Sequence, residues 1–133
     1  MEKHLRSAGL GLVIVFFLLG GIAHFAFAEA EISIIPPYVP YPHAVNCLVG
    51  VLELLGALGL MIPMCRRAAG VGLILLTIAV TPANVFMLQH AERYDVPEWL
   101  LVARLPLQVL LILLIAWGCG TMKHRSPPHV HFR

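Results

Sequence analysis

The sequence predicts an all-α fold, a membrane-embedded four-helix bundle, and three observations predict it. Hydrophobic residues make up 59% of the 133 residues, charged residues only 12%, and the mean hydropathy is +0.87. A soluble domain carries about 25% charge. The charges are clumped and leave four apolar runs. Each run approaches the ~20 residues that cross a hydrocarbon core of ~30 Å at ~1.5 Å per residue. Lys and Arg alternate between the connections in the manner that orients membrane helices. The length suits one domain.

The first span is expected at residues 9–28. It ends in "AHFAFAE", where Ala26-x-Ala28 resembles a signal-peptidase site. A signal h-region is only about 7–15 residues long, and this apolar run is longer. The first helix is therefore expected to be retained. The connection that follows, "EAEISIIPPYVPYPH", holds four prolines between Pro36 and Pro42. Proline lacks the N–H and disfavours helix before it, so an extended segment is expected there. Tyr38 and Tyr41 place it at the membrane interface.

The second and third spans are expected at 44–64 and 68–89, joined by Cys65-Arg66-Arg67. So short a link demands an antiparallel hairpin. Pro82 lies within the third span and is expected to free the Ile78 carbonyl. The next connection, "HAERYDVPEW", contains Asp95-x-x-Glu98, similar in spacing to a capping box. The fourth span is expected at 100–118, with Pro106 inside it freeing the Val102 carbonyl. Residues 121–133 are too polar and proline-rich to pack, and are expected to form a disordered cytoplasmic tail.

Seven of the nine basic residues fall on one side of this topology: Lys3, Arg6, Arg66, Arg67, Lys123, Arg125 and Arg133. Only Arg93 falls on the other, and Arg104 lies inside the fourth span. Both termini are expected to be cytoplasmic.

Ionisable and amide groups inside hydrocarbon are costly, by at least about 2.5 kcal/mol for a charge at a helix centre. His24, Asn46, Glu53, Thr77, Thr81, Asn84, Arg104 and Gln108 all lie inside spans. Counting residues places His24, Asn84 and Arg104 about 6–8 Å below the outer boundary, with Glu53 and Gln108 near the midplane. Asn46, Gly50, Glu53 and Ala57 share one helical stripe. The expected site is one outer-half polar pocket built from His24, Glu53, Asn84, Arg104 and Gln108. In it Glu53 pairs with Arg104, under the loop carrying Pro36, Pro37, Tyr38 and Tyr41. Two readings stay open. The pair locks four helices in register, or the pocket binds a solute. Thr77 and Thr81 are expected to bond their own helix backbone.

Other chemistry is excluded or weak. A net charge of +2 gives no nucleic-acid footprint. Three cysteines with no C-x-x-C form no disulfide framework. The tail histidines His124, His129 and His131 do not make a metal site, and none is expected. No phosphate loop, H-E-x-x-H or G-x-S-x-G is present. No nucleophile stands with a base, so no independent catalytic activity is expected.

The ordered segments "FFLLGGIAHF", "IPPYVPYP", "VGVLELLGALGLMIP", "RRAAGVGLILL", "TPANVFMLQH" and "RLPLQVLLILLIAW" resemble the DoxX-like family of small bacterial membrane proteins. The likeness runs from Phe16 to Trp117. It implies a four-helix inner-membrane protein associated with redox systems, since the family takes its name from a subunit of a thiosulfate:quinone oxidoreductase. A quinone as cofactor and a membrane or redox subunit as partner are implied by this resemblance alone. The expected function is an accessory or quinone-proximal subunit, the alternative a small-molecule binder or transporter. The lipid bilayer is the one partner that composition itself implies; oligomeric state is not legible.

Overall fold

The computed structural model describes residues 1–120; the tail expectation, with His124, His129 and His131, lies outside them. The described chain is all-helical. Helix α1 spans Glu2–Ala26, α2 Ala28–Ser33, α3 Pro42–Met61, α4 Arg66–Ala79, α5 Thr81–Gln89 and α6 Glu98–Gly118, with a 3-10 turn at Ala91–Arg93. Four stretches are long and apolar enough to cross a membrane: α1, α3, α4 with α5, and α6.

The spans close into a ring. α1 packs on α3 and α6, and α4 packs on the same two. α3 and α6 therefore stand diagonally across the bundle. Val13, Phe17, Leu60, Leu73 and Ile115 fill its centre, all at 2% exposure or less. Many other large apolar side chains are exposed, which is consistent with lipid contact. Water does not drive helix association inside a bilayer, so close packing must. The α1–α3 crossing shows how closely the backbones approach. A Cβ on Gly21 would lie 2.7 Å from the Leu54 side chain and 3.1 Å from the Gly50 carbonyl.

α1 starts before the apolar run, because Glu2 and Arg6 extend the helix outward as an i,i+4 pair at 3.2 Å. Arg6 then lies 5.8 Å from the Trp117 ring centre, which brings the start of α1 beside the end of α6. At the same end, the Arg66 Nε donates to the Leu60 carbonyl at 2.8 Å and closes the α3–α4 hairpin. At the opposite end, the Tyr94 hydroxyl donates to the Ser33 carbonyl at 3.0 Å and ties the two longer connections together.

Four expectations change here. The connection after α1 begins as the short helix α2. The Ala26-x-Ala28 motif marks the break at Phe27 between two helices, the first of which carries core residues Val13 and Phe17. The proline segment forms a turn, with Val39 N–H donating to Pro36 O at 3.0 Å, instead of an extended strand. It ends at Tyr41, whose φ of 53° is left-handed, a costly choice for a non-glycine residue. Asp95 makes no capping box, because Pro97 is the N-cap of α6 and no side chain caps it. Pro106 leaves α6 an unbroken helix, whereas the third span breaks at Val80.

Candidate functional site

The polar residues of the spans fall into two clusters on opposite interfaces of the ring. The first lies between α1 and α3. The Asn46 Nδ2 donates to the His24 carbonyl at 2.8 Å, and Asn46 Oδ1 faces His24 Nδ1 at 2.7 Å. The other ring nitrogen, Nε2, stands 3.8 Å from Glu53 Oε2. Both side chains are mostly buried, at 16% and 13% exposure. The stripe Asn46, Gly50, Glu53, Ala57 faces α1, as its spacing requires.

The second cluster lies between the third span and α6, and the break at Val80 explains it. Pro82 has no N–H, so α4 cannot run on as a regular helix. The ladder resumes with Ala83 and Asn84 both donating to the Val80 carbonyl. Thr77 O lies just before the break and takes its donors from side chains. Gln108 Nε2 reaches it from α6 at 2.5 Å, and the Thr81 hydroxyl at 3.3 Å. Gln108 Nε2 also donates to Thr81 Oγ1 at 2.5 Å, and its Oε1 accepts from Asn84 Nδ2 at 3.0 Å. The Thr77 hydroxyl donates to Leu73 O within its own helix at 2.7 Å. The carbonyl served across helices is thus Thr77, one residue before the expected Ile78.

Arg104 belongs to neither cluster. It is exposed, and its Nη1 donates to the Met87 Sδ at 3.1 Å. The expected Glu53–Arg104 pair is replaced by Glu53–His24 and Arg104–Met87, because α3 and α6 are diagonal. Of the five residues expected around one pocket, the structure joins His24 with Glu53 and Asn84 with Gln108. It does not join the two pairs to each other.

Asn46, Thr77 and Thr81 complete these clusters although they stood outside the expected site. Asn46 had a signal, since it lies at a depth similar to that of His24. Thr77 was reachable only through the proline break.

A concave surface lies on the flank of the third span. A groove of about 470 Å³ opens sideways, between Pro36 and Tyr38 of the proline turn and Ile78, Pro82, Val85 and Phe86 of the third span. Thr81 and Gln89 supply its polar lining. Ligand sites run from about 300 to 1,000 Å³ and are mostly apolar with a few polar groups. Thr81 is shared with the second cluster, which sets the groove against the Gln108 network. A second groove of about 370 Å³ adjoins it at Phe86 and reaches Arg93 and Tyr94. Among the described residues, no three His, Cys, Asp or Glu side chains gather as a metal site.

Comparison with known proteins adds a family and no activity. No curated protein and no solved structure matches the chain. A family model, described as a domain of unknown function (DUF8561), matches residues 13–119, and the chain belongs to that family.

Proposed function

We propose that this protein is an accessory subunit of a membrane redox system, holding a lipid-soluble, quinone-like molecule beside its partner. The observation that carries the reading is the sideways groove under Pro36 and Tyr38. Its lining is apolar enough for a ring and tail, and the Gln89 amide supplies a donor for a carbonyl. The similarity to the DoxX-like family supports the redox association. The inter-helix bonding of Asn46, Asn84 and Gln108 supports a scaffold role. The other reading, a polar-solute binder or transporter, needs His24, Glu53, Asn84, Arg104 and Gln108 around one cavity. Their separation, with His24 and Glu53 at one interface, Asn84 and Gln108 at another and Arg104 in neither cluster, favours the first.

The protein sits in the cell inner membrane with both termini cytoplasmic. The basic asymmetry supports this orientation, and so does the grouping of Arg6, Arg66 and Trp117 at one end of the bundle. Reporter fusions after Ser33, Arg67 and Arg93 should read outside, inside, outside.

The test of the groove is thermal unfolding of the detergent-solubilised protein titrated with decyl-ubiquinone. Binding to the folded state raises stability by mass action. The midpoint should rise in the parent and stay fixed in Val85→Trp, which fills the groove. A parent whose midpoint does not move with quinone ends this reading.

A further inference from the structure

We propose that His24 and Glu53 form a proton-binding site inside the membrane, holding one proton between His24 Nε2 and Glu53 Oε2. The argument begins at Asn46. Its Nδ2 is committed to the His24 carbonyl, so the atom facing His24 Nδ1 is the amide oxygen. An amide oxygen only accepts, so Nδ1 carries a hydrogen. In the neutral ring Nε2 is then a bare acceptor. That bare acceptor faces Glu53 Oε2 at 3.8 Å.

Oε2 is itself buried and takes no hydrogen bond from any described residue. Gly20 stands against it, where a Cβ would lie only 2.7 Å away, and glycine offers no side-chain donor. Two facing acceptors with no proton between them repel, and an unpaired carboxylate in hydrocarbon is expensive. One proton resolves both problems. On Oε2 it makes a neutral acid facing a neutral imidazole. On Nε2 it makes an imidazolium facing a carboxylate. Once the two atoms close from 3.8 Å to hydrogen-bond distance, the O–H bond breaks as the N–H bond forms, and the net charge is zero before and after.

The surrounding charges leave this pair to itself, with one exception. On α2, which packs on α1 and α3, stand Glu29 and Glu31; Glu31 is the nearer to Glu53 along the chain. It lies seven residues after His24, at the end of the bundle that carries the proline turn. On α3, His43 stands one turn before Asn46. On α4, Arg66 is tied to Leu60 at the opposite end. On α6, Arg104 is tied to Met87. The site is independent of whether the groove holds a ligand.

Infrared difference spectra between acid and alkaline samples of the full chain in lipid nanodiscs test this. A protonated-carboxyl C=O band should be present and should vanish in Glu53→Gln. In His24→Gln the carboxylate loses its cationic partner. Its proton affinity should rise by about tenfold or more, moving the midpoint up by about one pH unit or more. A band that titrates at the same pH in His24→Gln overturns the proposal, as does the absence of any Glu53 band from about pH 4 to about pH 10. Should Glu53→Gln fail to fold, NMR of isotope-labelled histidine decides. The parent should show His24 protonated at Nδ1 when neutral, and Asn46→Leu should release a mixture of tautomers. A parent His24 that is neutral with its hydrogen on Nε2 overturns the proposal.

Discussion

The Gln108 amide on α6 donates to the Thr77 carbonyl at 2.5 Å, at the place where Pro82 interrupts the third span. One helix thus repairs a defect in another. An unmet carbonyl in hydrocarbon has no water to turn to. Gln108→Leu should therefore lower unfolding stability in detergent by about 1 kcal/mol or more. Pro82→Ala lets Thr81 N–H return to Thr77 O, so the double variant Pro82→Ala with Gln108→Leu should regain part of the loss. Equal losses in the single and the double variant would show that the carbonyl is not the reason.

Two glycines should behave oppositely. A Cβ on Gly50 would sit 2.7 Å from the His24 Cβ and 2.9 Å from the Phe25 ring, whereas one on Gly72 meets nothing within 4 Å. Gly50→Ala should cost about 1–3 kcal/mol by overpacking. Gly72→Ala should be neutral or gain up to about 1 kcal/mol from helix propensity. Chemical unfolding in mixed micelles measures both, and a Gly50→Ala protein as stable as the parent contradicts the close α1–α3 approach.

The in-span polar residues should differ sharply in what their removal costs. Asn46 is 4% exposed and serves two groups of His24, so Asn46→Leu should cost about 1–3 kcal/mol. Arg104 is exposed and meets only a thioether, a weak acceptor, so Arg104→Met should cost less than about 1 kcal/mol. The ranking reverses if Arg104, not His24, is the partner of Glu53.

Thiol labelling should separate the two cysteines at the Arg66 end. Cys65 is exposed in the turn, while burial pushes the Cys119 thiol above its usual range, with Arg66 opposing. The thiolate is the reactive form. A water-soluble maleimide at neutral pH should modify Cys65 well before Cys119, and raising the pH should narrow the gap. Mass spectrometry of partly labelled protein reads the order, and faster labelling at Cys119 would contradict its burial.

The number and order of the four spans were legible because apolar runs are local properties of the chain. The stripe through Asn46, Gly50, Glu53 and Ala57 was legible for the same reason. The pairing of Glu53 was not. Depth along a span can be counted from its ends, but which spans stand diagonally depends on how four helices close into a ring. Arg104 also met a methionine sulfur, which no search for opposite charge would select. The Thr77 carbonyl escaped because a backbone atom has no signature in the residue code. It becomes visible only once the break is known to fall at Val80.

The break at Val80 also divides the bundle mechanically. α3 and α4 form a hairpin, clasped by a tight turn and by Arg66 on Leu60. α5 is a short lever that leans on α6, coupled to it through Asn84, Gln108, Met87 and Arg104. A sideways load on α5 from the lipid is therefore transmitted to the fourth span. The α1–α3 interface lies on the far side of the ring from this coupling.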